Sequence, residues 1–184
     1  MQKHRFSTKH MVIIAFLAAI LCIVAPFSIP VGAIPVSLMT LIIYIMCYIV
    51  PGRIAFAAYT VYFLLGLVGL PVFSGFSGGI GKLAGPTGGY LLGAFFLIPI
   101  CGFTLKDTAE HKMRNFLGML FATIVMYSIG IIWFMLILSC NFYHAFTVCV
   151  LPFVLIDIAK ILLAVCLGPM LQRRIRKTTV SLLF

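Results

Sequence analysis

The sequence is a series of long apolar runs, most without a single charged side chain, separated by short basic or Gly/Pro-rich turns. Such runs of roughly 20 residues match the thickness of a bilayer core. Of the 184 residues, 64% are hydrophobic and 9% charged, whereas a soluble domain is about one-quarter charged. So little charge cannot cover a water-facing surface. The chain therefore reads as an all-α integral membrane protein, a single membrane domain over residues 1–184. Lipid, not water, meets much of its apolar surface.

Six spans are predicted. They run from about Met11 to Phe27, Val36 to Val50, Ile54 to Leu70, Thr87 to Leu105, Asn115 to Leu138 and Phe146 to Leu171. Between the first two, Pro26, Pro30, Gly32 and Pro35 read as a turn. Ser139–His144 reads as a short polar turn. Pro86-Thr87 reads as a helix start with Thr87 as its N-cap. A cleavable signal peptide is disfavoured for the first run, because no A-x-A site follows it. In that first helix Ala15 and Ala19 lie four apart, on one face. Small residues so spaced let another helix approach closely.

The 13 Lys and Arg against 3 Asp and Glu give a net charge of +10. A nucleic-acid surface would gather this charge into one aromatic-laced patch; here it sits at the ends of spans, which fits membrane orientation better. With six spans, Lys3, Arg5, Lys9, Arg53, Lys106, Lys112, Arg114, Arg173, Arg174, Arg176 and Lys177 fall on one side. Lys82 alone falls on the other. The positive-inside rule makes the first side, with both termini, cytoplasmic. The cysteines (22, 47, 101, 140, 149, 166) form no C-x-x-C pair, and read as small buried hydrophobes with no metal site.

Residues 71–93, PVFSGFSGGIGKLAGPTGGYLLG, break this pattern. Irregular backbone at membrane depth survives only where protein buries it or where it lines a cavity. The stretch is expected to be a re-entrant loop between helices 3 and 4 that walls a small-molecule site. Phe73, Phe76 and Tyr90 are candidates to clasp an apolar ligand, with Ser74, Thr87 and Gly89 beside them. Lys82 and the following helix N-terminus are candidates to attract an anionic group; Lys82 reads equally well as an ordinary loop lysine. A Walker A loop is absent: Phe76 stands where its first Gly belongs, and Leu83 follows Lys82. No G-x-S-x-G or H-E-x-x-H motif occurs, so no catalytic constellation and no ATP site is expected.

Of the three carboxylates, Asp107 and Glu110 lie among Lys and Arg in a loop and read as solvated. Asp157 lies inside LPFVLIDIAKILLAV, with Lys160 one turn on along the same helix face. A charge at the middle of a span costs about 2.5–3.5 kcal/mol on insertion scales. The pair either offsets its own insertion cost or forms the polar end of a ligand pocket. The second reading is preferred because intramembrane ionisable groups usually mark a substrate or ion path. Asp157 then accepts from ligand N–H groups, and Lys160 keeps it charged and is free to donate to a ligand carbonyl.

Tyr62, the run Gly66-Leu-Val-Gly69-Leu70-Pro71-Val72-Phe73, the run Gly85-Pro86-Thr87-Gly88-Gly89-Tyr90-Leu91, and Pro152-Phe153 with Asp157 and Lys160 resemble the hallmark segments of the BioY family. These are the substrate-binding S components of biotin energy-coupling factor (ECF) transporters of prokaryotic cell membranes. The resemblance runs from the first helix to the C-terminal Arg cluster. It implies six transmembrane helices, a biotin pocket open to the outside, and biotin contacts by Asp157 and Lys160. It implies that Ala15 and Ala19 dock on a transmembrane coupling subunit joined to two ATPase subunits, which supply the ATP hydrolysis this chain lacks. Where the family usually shows Gln in its second helix this chain has Met39, so a polar contact from that position is lost or passes to Ser37 or Thr40. A non-transporting assembly subunit and a stand-alone carrier are the alternatives.

Overall fold

The computed structural model describes residues 8–31, 34–105 and 111–179; the side chains of Val31 and residues 176–179 lie outside the description. Lys3, Arg5, Lys106, Asp107 and Glu110 thus fall outside the described residues. Among the described residues, eight helices and one hairpin follow in order: α1 (Thr8–Val24), β1 (Ser28–Val31), β2 (Ile34–Ser37), α2 (Met39–Ile49), α3 (Gly52–Leu67), α4 (Ile80–Leu83), α5 (Gly88–Thr104), α6 (Lys112–Leu138), α7 (Phe142–Cys149) and α8 (Leu151–Thr179). The chain is a membrane protein of mostly helical architecture. Two helices, α6 and α8, are long and apolar enough to cross a bilayer unaided. The other apolar helices are shorter; α2, with 11 residues, rises only about 17 Å at 1.5 Å per residue.

Three sequence expectations need correction. The fold is not wholly α: the predicted Pro-rich turn is an antiparallel hairpin pairing Ser28 with Ser37 and Pro30 with Pro35. Ile34 and Val36 turn inward while Pro35 and Ser37 are less covered, the period-two alternation of a strand. The hairpin takes residues assigned to the second span, which is why α2 is short. The polar turn at Ser139–His144 is briefer than expected, since α7 begins at Phe142 and Val150 separates it from α8. Thr87 precedes α5 but makes no side-chain cap; its backbone is already helical.

Glycines set the helix contacts. A Cβ on Gly89 would run into Trp133 and Gly130, and one on Gly93 would meet Met126, so α5 and α6 lie nearly backbone to backbone. Trp133 Nε1 donates to the Gly85 carbonyl at 3.0 Å, tying the Gly-rich segment to α6. Gly52 meets Gly102, Gly118 meets Thr104, and Gly168 meets the Tyr48 ring. These contacts gather the end of α2, the start of α3, the end of α5, the start of α6 and the C-terminal half of α8 at one end of the bundle. Arg53, Lys112, Arg114, Arg173 and Arg174 are carried there.

Candidate ligand pocket

At the opposite end the helices part around a cavity with about 620 Å³ of empty space, its mouth included. Asp157 and Lys160 form its polar floor, each 6% exposed. One helical turn separates them on α8, and the Lys160 Nζ lies 2.8 Å from Asp157 Oδ1. Lys160 also donates to the Ser37 carbonyl at 2.7 Å and to Thr40 Oγ1 at 3.2 Å. All three ammonium protons thus have acceptors within the chain, and a ligand carbonyl must displace one of them to receive a bond. Tyr127 of α6 donates to Asp157 Oδ2 at 2.5 Å. Each carboxylate oxygen accepts one bond and keeps a further lone-pair site. Two acceptor positions therefore remain for a ligand's N–H groups.

The floor is bound to the hairpin. Ser37, whose carbonyl receives Lys160, passes its own hydroxyl hydrogen to Ala25 O at 2.8 Å and accepts from the Met39 N–H at 3.1 Å. One residue therefore joins the end of α1, the start of α2 and the α8 ammonium. Ile34, Pro35 and Val36 continue the wall above it. Met39, where the BioY resemblance leads one to look for Gln, also lines the cavity and receives the Tyr62 hydroxyl on its sulfur at 3.7 Å. Polar contacts near it come from Ser37 and Thr40.

Of the residues singled out in the sequence, Asp157, Lys160, Thr40, Ser74, Thr87 and Tyr90 line this one cavity. The Tyr90 ring packs across Gly130, and its hydroxyl donates to the Cys149 carbonyl at 2.6 Å. Thr87 is buried and its hydroxyl has no partner among the described residues. Having no cap to make, it is available to a ligand.

Phe73, Gly89 and Lys82 are not among the lining residues. Phe73 is fully buried, edge-on to Tyr62 at 5.7 Å between ring centroids, and fills the space above Gly66. It supports the wall from behind. Phe76 is 61% exposed and packs on Phe27. Gly89 serves the α5–α6 contact. Lys82, half-buried on α4, stands apart from the cavity. Tyr127, Met126 and Phe153 are lining residues that were not singled out as ligand contacts. Tyr127 had a signal: a phenol deep inside an apolar run must find a hydrogen-bond partner.

Residues 1–177 match the model of the BioY family. The chain belongs to the BioY family. Among its BioY relatives, the biotin transporter BioY2 of Lactococcus lactis subsp. cremoris is 32% identical over 90% of this chain and 91% of its own length. The probable biotin transporter BioY of Pyrococcus horikoshii is 35% identical over 89% of this chain and 96% of its own. The BioY chain also shares its fold with the crystal structure of the S-component for biotin from an ECF-type ABC transporter. The TM-score there is 0.83 at 24% identity, covering 92% of this chain and 95% of that one.

Proposed function

We propose that this chain is the biotin-binding membrane subunit of an ECF-type importer, a transporter component and not an enzyme. Membership of the BioY family supports the substrate. The observation that carries the reading is the buried Asp157–Lys160–Tyr127 cluster at the bottom of a mostly apolar cavity. The cyclic urea of biotin offers two N–H donors, matching the two acceptor positions left on Asp157. Its fused rings and chain suit the walls of Ile34, Val36, Leu91, Met126 and Phe153. Thr87 and Ser74 are polar groups for the rest of the ligand.

In this reading α1, α2, α3, α5, α6 and α8 are six spans, and the Gly-rich segment 71–87 is a loop dipping over an outward-facing pocket. Both termini are cytoplasmic in a prokaryotic cell membrane. The basic helix ends gathered opposite the cavity support that orientation. Ala15 and Ala19 are both exposed on α1, beside exposed Val12, Phe16 and Ile23. That apolar face is the one we assign to the transmembrane coupling subunit, with two ATPase subunits behind it.

Biotin uptake by a biotin-requiring host expressing this chain, with and without those partners, tests the function. Uptake that depends on the partners and on ATP supports it. Uptake of full rate without them points to a stand-alone carrier, and none in either case to an assembly role.

A further inference from the structure

A second concavity lies on an exposed side of the bundle, lined by none of the residues of the first cavity. It runs between α3 and α5 at the basic end. Gly52 and Gly102, where the backbones of the two helices meet, line it together with Ala57. Phe56 and Phe103 rise on either side, 40% and 72% exposed. The Thr60 hydroxyl on its wall donates its proton to the Phe56 carbonyl at 2.9 Å, within α3. Arg53 stands exposed at its end. An apolar trough with, among the described residues, Arg53 as the cation in its lining has the polarity of a single-chain amphiphile with an anionic head.

We propose that this trough binds an anionic phospholipid, one acyl chain lying over Gly52, Ala57 and Gly102 between the two phenyl rings and the phosphate resting on Arg53. The proposal rests on the orientation above, which brings Arg53 to the cytoplasmic leaflet, where anionic lipids attract basic side chains. A helix of a protein partner would find small residues to approach but would need an acidic side chain placed at Arg53, whereas every anionic phospholipid brings a phosphate to that depth. A guanidinium holds phosphate oxygens two at a time.

The test uses the full chain in mild detergent, equilibrated with equimolar phosphatidylglycerol and phosphatidylcholine, with the lipid retained after purification measured by mass spectrometry. Wild type is expected to retain phosphatidylglycerol about fivefold over phosphatidylcholine, the preference one basic side chain confers at an anionic surface. Arg53→Gln is expected to abolish the preference, Ala57→Phe to displace both lipids, and Arg173→Gln to change neither. Equal retention of the two lipids by wild type, or an unchanged preference in Arg53→Gln, overturns the proposal. Biotin binding by the same preparations reports folding, and detergent removes sidedness. A failure here is therefore separable from a failure of the transport reading or of the orientation.

Discussion

Tyr127 and Asp157, 30 positions apart in the chain and on different helices, meet in a buried hydrogen bond of 2.5 Å at the cavity floor. The phenol fixes one carboxylate oxygen while Lys160 fixes the other, so the lone pairs left for a ligand point in set directions. Removing the hydroxyl frees the carboxylate to rotate and leaves Oδ2 without its donor. A hydrogen bond to a charged group contributes about 1.5–3 kcal/mol. Tyr127→Phe is therefore expected to weaken biotin binding by at least about tenfold while the protein stays folded, as read by titration beside a thermal melt. Undiminished affinity would show that Asp157 needs no such support.

Lys160 bears on stability more than on direct ligand contact, since its three protons are already spoken for. Lys160→Met keeps the length of the side chain but leaves Asp157 buried without its countercharge, and removes the link to Ser37 and Thr40. Breaking a buried pair from one side costs about 3–5 kcal/mol. The variant is expected to melt well below wild type, and the double variant Asp157→Asn with Lys160→Met to recover part of the loss. A Lys160→Met protein as stable as wild type would mean the pair is not holding the floor together.

Behind the pocket wall, Gly66 and Phe73 permit one change only at the expense of the other. A Cβ at position 66 would overlap the Phe73 ring, which is enclosed by Tyr62 and Phe63. Overpacking of this kind costs about 1–3 kcal/mol. Gly66→Ala is expected to lower stability and weaken biotin binding together, and Gly66→Ala with Phe73→Leu to restore much of both. Measuring the pair as a double-mutant cycle isolates the coupling; additive effects would place Phe73 outside the wall's support.

The exposed face of α1 separates binding from transport. Trp at Ala15 or Ala19 adds bulk where the chain itself packs nothing, so biotin affinity of the purified protein is expected to hold within about twofold. Uptake in cells with the partner subunits is expected to fall at least tenfold, by blocking the close helix approach that small residues allow. Uptake at the wild-type rate would move the docking face elsewhere.

Much of this was legible before any coordinates. Charge-free runs mark the apolar helices, and an Asp–Lys pair inside such a run points to a pocket floor because intramembrane ionisable groups usually mark a substrate or ion path. The Gly-rich stretch 71–93 is irregular only in part, since α4 lies inside it and α5 takes over from Gly88. What escaped has physical reasons. Pro30 and Pro35 look like turn residues, yet they sit opposite each other in a two-stranded hairpin, where paired strands are cheap once a buried face at Ile34 and Val36 forms. Phe73 and Phe76 are chemically alike and three apart, but one fills a hole left by Gly66 and the other lies outside; composition does not distinguish them. Tyr127 belongs to the floor through a contact between distant helices, and local pattern is blind to such pairings.

Equilibrium binding of labelled biotin to the purified chain and to its Asp157→Ala variant is the most direct measurement. Saturable binding of one biotin per wild-type chain, lost in the variant while the variant stays folded, is the predicted result. Wild-type affinity in Asp157→Ala, or no binding by the wild-type chain, would contradict it.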